Sequence, residues 1–181
     1  MTRILILISA ICFISLETNA QTIAGYSFES YPSTKNLVTQ KAKINYNSSP
    51  DAKYYKTRIN SSYKANKVDF ASYYITTIWG CGTGCITGVM VDVRDGKIYD
   101  LPLGEETSST GCYSSGSVDD ETSYTAFSRL FVKGTCSETE IENTPNYKQE
   151  QKFFINVWNE SKKKFELVKI VEKTDIKKKA Y

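Results

Sequence analysis

The stretch Trp79-Gly80-Cys81-Gly82-Thr83-Gly84-Cys85 lies between two apolar runs, Phe70–Ile78 and Ile86–Val93. The first run and its flank, Phe70-Ala71-Ser72-Tyr73-Tyr74-Ile75-Thr76-Thr77-Ile78-Trp79, is rich in β-branched and aromatic residues, which favour strand. Tyr73, Ile75 and Trp79 alternate onto one face and Phe70, Tyr74 and Ile78 onto the other. This pattern predicts a central strand covered on both sides. Residues 86–94 form the next strand, centred on Val89-Met90-Val91. Together the two strands predict a hairpin in which Gly82-Thr83-Gly84 is a three-residue loop and Cys81 stands opposite Cys85. Cross-strand neighbours lie about 4.5–5.5 Å apart, inside the Cα range a disulfide tolerates. In an extended chain, residues four apart are roughly 13 Å apart, too far to bridge. The hairpin and a Cys81–Cys85 bridge therefore imply each other, and the glycines permit the positive φ angles that closure demands. So small a ring gains little loop entropy, so the bridge fixes the shape of the loop more than it stabilises the fold.

On the N-terminal side, Ser49-Pro50-Asp51 reads as a helix start: Ser as N-cap, Pro at the first helical position, acid in the first turn. Ala52, Tyr55, Ile59 and Tyr63 follow on one face, so residues 50–64 are predicted helical, with Lys53, Lys56, Arg58 and Lys64 on a solvated face. Residues 21–48 are polar and weakly patterned, an extended segment in which Lys43–Tyr46 forms at most a short edge strand. On the C-terminal side, Asp95-Gly96 supplies the φ > 0 residues of a tight hairpin turn, and Lys97–Leu101 returns as a short strand. Residues 103–125 are a long Ser-, Thr- and Gly-rich loop holding Cys112 and Asp119-Asp120-Glu121. Further strands are predicted at Ala126–Lys133, Lys152–Trp158 and Lys164–Val171, with residues 137–150 a polar connection and the lysine-rich tail, 174–181, frayed. The result is a mainly β (α+β) protein: a single-domain antiparallel β-meander at residues 49–173, with one helix packed on the sheet.

Residues 1–20 read as a signal peptide: a short basic start at Arg3, an apolar run Ile4–Leu16, and a small residue, Ala20, at the cleavage point. The run is shorter than the roughly 20 residues that span a bilayer. Ile11 stands where a lipoprotein leader has a small residue, so Cys12 leaves with the leader. The mature chain then begins near Gln21 and keeps a formal charge of +3, too weak to argue for nucleic acid. Its cysteines are Cys81, Cys85, Cys112 and Cys136, which in an oxidising compartment favour two disulfides over a metal site. Three pairings are open to four cysteines. Hairpin geometry selects Cys81–Cys85, and elimination leaves Cys112–Cys136. The chain has no His, which excludes Ser-His-Asp and Cys-His catalysis and His-ligated metals. No phosphate-binding glycine loop or spaced EF-hand ligand set is present, no pair of carboxylates stands out for glycoside hydrolysis, and no cofactor is implied.

Several of these residues carry a resemblance. Phe70-Ala71 with Tyr74, the loop Trp79–Cys85, Val91-Asp92, Gly96-Lys97-Ile98-Tyr99 and Leu101-Pro102 are similar to an uncharacterised family of small exported bacterial proteins. The likeness continues at Ser128-Arg129-Leu130, at Trp158 and at Phe165-Glu166-Leu167-Val168, and covers roughly residues 50–171. The resemblance implies a location, periplasmic or secreted, and a shared motif, with no mechanism attached. The family pattern has Gly-His where this chain has Ser72-Tyr73, and Cys112 with Cys136 is an addition to it.

Rigid loops on a β scaffold commonly carry recognition. The expected function is accordingly a non-enzymatic binding module whose partner is an envelope or extracellular protein or glycan. Its candidate binding loop is Gly82, Thr83 and Gly84, with Trp79 and Tyr99 as aromatic anchors. An inhibitor or immunity protein against a cell-wall hydrolase is the sharper version of this reading. A thiol-redox role fits less well, because strands rather than a helix start flank the cysteine pair.

Overall fold

A computed structural model describes residues 22–34, 38, 40–112 and 122–178. Residues 1–20, where a leader is expected, and Asp119-Asp120-Glu121 lie outside the described residues. The protein is mainly β, an α+β fold built from antiparallel sheets and one helical segment. A short hairpin, β1 (Thr22–Ile23) with β2 (Tyr26–Ser27), precedes a 3-10 helix at Asp51–Tyr55 that runs into α1 (Lys56–Ala65). A three-stranded meander follows, β3 (Tyr74–Gly82), β4 (Cys85–Asp92) and β5 (Ile98–Asp100). A four-stranded meander completes the chain: β6 (Thr122–Tyr124), β7 (Leu130–Glu140), β8 (Asn146–Asn159) and β9 (Lys164–Lys178).

Alternation along the strands stacks these pieces in layers. Ile75, Trp79, Val89 and Val91 face the helical segment and pack on Ala52, Ile59 and Tyr63. Residues of the opposite face, Tyr74 and Met90, meet Phe131 and Trp158 of the larger sheet in an aromatic core. The far face of that sheet, Leu130, Val132, Phe153 and Ile155, is covered by Phe28 and the N-terminal hairpin. The weakly patterned N-terminal segment therefore supplies the outermost apolar layer.

Several boundaries differ from the sequence reading, each for a local reason. Ala71 and Ser72 both have left-handed φ, so Phe70–Tyr73 is a turn and the strand begins at Tyr74. The turn is held by Ser72 N–H donating to the Ala126 carbonyl (2.6 Å) and by Ser72 Oγ donating to the Thr34 carbonyl. Both faces of β3 are covered, but β4 is the central strand and β3 an edge. The helical segment begins as a 3-10 helix with Pro50 as its N-cap and no side-chain cap from Ser49. Only Gly96 has positive φ in the β4–β5 connection, and its N–H reaches back to the Asp92 carbonyl (2.8 Å), a longer turn than the two-residue form. A Cβ at Gly96 would lie 2.0 Å from the Lys43 carbonyl oxygen, so the close approach of that segment requires glycine. Asn45 makes only an isolated bridge to Lys97 in place of an edge strand. The polar stretch 137–150 is mostly strand, with Ile141–Pro145 as its turn, and residues 174–178 are paired to β8. Polar side chains mask both from a hydrophobicity pattern; backbone pairing holds them, joined by side-chain bonds such as Gln149 Nε2 donating to Glu138 Oε1 at 3.1 Å.

Between the two sheets sits a cluster of four charges and two aromatic hydroxyl or N–H groups. Asp92, at the end of β4, is almost wholly buried and takes three bonds from Arg94, backbone N–H to Oδ1 at 3.0 Å, Nε to Oδ1 at 2.8 Å and Nη2 to Oδ2 at 2.5 Å. Glu160, in the β8–β9 turn, accepts from Arg94 Nη2 and Lys163 Nζ (2.6 Å each) and from Tyr74 OH and Trp158 Nε1 (2.7 Å each). Lys163 Nζ also donates to Tyr74 OH at 2.9 Å. Two acids and two bases balance, and the Arg94 guanidinium lies 3.8 Å over the Tyr73 ring. Burial pushes the Glu160 carboxyl up, but the bonds from Lys163, Arg94, Tyr74 and Trp158 outweigh it and hold the group at about 2. Burial and the bond to Glu160 push the Tyr74 hydroxyl far above the ordinary tyrosine range.

A depressed folded-state pKa contributes stability above the unfolded value of 4.5 that is lost as pH falls toward about 2. The thermal midpoint of the parent is expected to drop between those pH values. Glu160→Gln should flatten that part of the profile. An unchanged acid profile in the variant would show that Glu160 does not carry this linkage.

Candidate functional site

The hairpin at 79–85 is built by an irregular register. Gly80 pairs with Ile86 and Gly82 with Cys85, so Cys81 is bulged out of the ladder and the turn proper is Thr83-Gly84. This corrects the three-residue loop with directly opposed cysteines. The bulge still leaves the Cα atoms of Cys81 and Cys85 5.1 Å apart, and the two are joined by a disulfide. Gly82, Thr83 and Gly84 are all exposed.

The tip is not free-standing. Ser109 N–H donates to the Gly84 carbonyl at 2.9 Å. Gly84 has φ +66°, and a Cβ there would lie 1.8 Å from the Ser109 carbonyl oxygen, so only glycine allows this contact. Ser109 Oγ in turn donates to the Cys136 carbonyl (2.6 Å) and accepts from Cys136 N–H (3.0 Å). Gly111 N–H adds a bond to the same carbonyl at 2.9 Å, and Cys112 is joined to Cys136 with Cα atoms 5.5 Å apart. Residues 108–112 thus form a strap that ties the hairpin tip to β7, with a bridge at each end. Sequence reading missed Ser109, which is one serine among many in a Ser-rich loop; no local pattern marks it.

Trp79 and Tyr99 are not parts of that tip. Trp79 is only 7% exposed, packed in the helix-facing core with its ring centroid 4.5 Å from that of Tyr55. Tyr99 points to the opposite face, edge-on to Tyr74 and Trp158 at 6.1 and 5.4 Å. The pleat separates them: Trp79 belongs to one core cluster and Tyr99 packs on the other. The exposed part of the candidate loop therefore reduces to Gly82, Thr83 and Gly84.

Each of these two aromatics instead lines a surface cavity. The one on the Trp79 side has about 520 Å³ and is bounded by Asp51, Tyr54, Tyr55, Thr87 and Asp100. The one on the Tyr99 side has about 410 Å³ and includes Asp51, Asp100, Trp158 and Phe165. Asp51, Asp100 and Leu101 belong to both, so the cavities adjoin as one trough. Burial pushes the Asp100 carboxyl up, and the charge of Asp51 adds to the effect. Among the described residues, no group of three or more Cys, Asp or Glu is placed to hold a metal ion, and no helix is long and apolar enough to cross a membrane.

No protein-family model, curated protein or solved structure matches the chain.

The two bridges are expected to differ in weight. Cys112–Cys136 closes 24 residues of chain and holds the strap. The Cys112→Ser/Cys136→Ser pair should lower unfolding free energy by about 3 kcal/mol. Cys81→Ser/Cys85→Ser, opening a ring with a separation of only 4, should cost less. Chemical denaturation of both variants checks the order. An equal or reversed order would mean that loop closure is not what the longer bridge contributes.

Proposed function

We propose that the protein is an exported, non-enzymatic binding module that presents the bridged tip Gly82-Thr83-Gly84 to a partner in the cell envelope or outside it. Kinship with the small exported bacterial proteins that share its Trp-Gly-Cys-Gly-Thr-Gly-Cys motif is part of this reading. The observation that carries it is the exposed tip held from both sides, by the Cys81–Cys85 bridge beneath it and by Ser109 against it. A loop already fixed in shape loses little conformational entropy on binding. Gly82, where a Cβ would meet nothing, leaves the backbone open to close approach, and Thr83 is the one side chain offered at the tip. Disulfides belong to oxidising compartments, which supports export.

The test is capture of a partner from envelope extract by the parent protein and by Thr83→Lys. Thr83 is exposed, so the substitution should change stability by no more than about 0.5 kcal/mol. It should abolish capture of the partner. A variant that captures the partner as well as the parent would make the tip structural. Adding the protein to a lysozyme-type enzyme tests the inhibitor form of the reading, with loss of cell-wall hydrolysis as the positive result.

A further inference from the structure

We propose that the trough at Asp51 and Asp100 is a second binding site, for a neutral glycan, separate from the hairpin tip. Its shape suits a small ligand: about 520 Å³ on the Trp79 side falls in the range of ligand pockets. Its lining supplies the two things a pyranose needs. The first is an aromatic face. Tyr54 is 85% exposed on the rim, an aromatic ring that the fold's own packing leaves uncovered. The negative face of such a ring attracts the weakly positive C–H groups of a sugar. The second is a set of hydrogen-bonding groups of both kinds. Among the described residues, the carboxylates of Asp51 and Asp100 have no hydrogen bond or ion pair, so both can accept from ligand hydroxyls. On the donor side, the Trp79 indole N–H is buried and without an acceptor, and Thr87 contributes a hydroxyl to the wall.

The donor decides between ligand classes. A cation would satisfy two carboxylates and an aromatic rim, but it offers nothing to an indole N–H. An acidic sugar on the Trp79 side would meet two like charges, since Lys163 and Lys164 line only the adjoining cavity. A neutral polyol donates to the carboxylates and accepts from the N–H at once. Tyr55 and Trp79 share the cavity wall with ring centroids 4.5 Å apart, and on this proposal Tyr55 turns aside to let a hydroxyl reach that N–H. The gain is the satisfaction of an orphaned buried donor, a group that is costly to leave unpaired. The adjoining cavity beyond Asp51 and Asp100, with Tyr99, Trp158 and Phe165 in its wall, gives a chain of sugars room to continue.

The experiment is isothermal titration of the full mature chain with the neutral tetramers of N-acetylglucosamine and of glucose, and with tetramethylammonium as the cationic probe. At least one tetramer should bind. Tyr54→Ala and Asp100→Asn, both on the exposed rim, should each weaken that binding by about tenfold. Thr83→Lys should leave it unchanged, which separates this site from the hairpin tip. Failure of both tetramers to bind at millimolar concentration would overturn the proposal. So would sugar binding that survives both rim substitutions, or binding of tetramethylammonium in place of the sugars.

Discussion

Glu160 is the most heavily bonded point at which the two sheets of this protein are fastened together. Its carboxylate, in the β8–β9 turn, receives Tyr74 from β3 and Arg94 from just beyond β4, along with Lys163 and Trp158 from its own sheet. Much of the remaining aromatic interface is ring on ring, contacts that exist in many registers, and the hydroxyls of Thr76 and Tyr124, 2.9 Å apart, add a second polar link between the sheets. A carboxylate with four donors aimed at it has one position. Arg94, Glu160 and Lys163 are each about a third exposed, so solvent screens part of their attraction, and the cluster matters chiefly in fixing how the sheets are set against each other. Asp92 is the fully buried member, and removing Arg94 would leave its charge poorly compensated. The cavity on the Tyr99 side depends on this setting. It is walled by Trp158 and Phe165 of the larger sheet and by Tyr99 of the smaller.

Much of this fold is readable from sequence where local chemistry and burial agree. The β-branched run before Trp79, the apolar face Ala52, Ile59 and Tyr63, and the cysteine hairpin all announce themselves within a dozen residues. The reading fails where partners are distant. Phe70 belongs to the aromatic core at 0% exposure, and its alternation with Tyr74 mimics a longer strand, yet the chain between them turns through two left-handed residues. That turn exists because the segments at Ser33–Thr34 and Ala126–Ser128 provide its hydrogen bonds. Residues 146–150 and 172–178 look like loop and tail because their side chains are polar. They are strand because each backbone finds the other.

The candidate site shows the same division. Cys81 and Cys85 are legible as a pair because geometry within seven residues requires it. Ser109 is not, because its role is set by where Gly84 and Cys136 arrive from elsewhere in the chain. Trp79 and Tyr99 look like anchors by residue type. Which face of a pleated sheet each occupies, and what covers that face, decides otherwise, and Tyr55 covers one while Trp158 covers the other. Asp51 and Asp100 come together only because the 3-10 helix lies beside β5. Their separation in sequence hides the pair.

The last strand carries a cost and its remedy together. β9 runs for 15 residues along the rim of the larger sheet, with Leu167, Val168, Ile170 and Ile176 exposed. A long, open, partly apolar rim of this kind is a template on which a second copy can nucleate growth of a continuous ribbon. Lys164, Lys169, Lys173, Lys177 and Lys178 outnumber Glu166, Glu172 and Asp175 along it, so two copies approaching rim to rim carry a net like charge. That repulsion is strongest in dilute salt and fades as the Debye length shortens. Colloidal behaviour is thereby tied to ionic strength through a strand far in sequence from the hairpin.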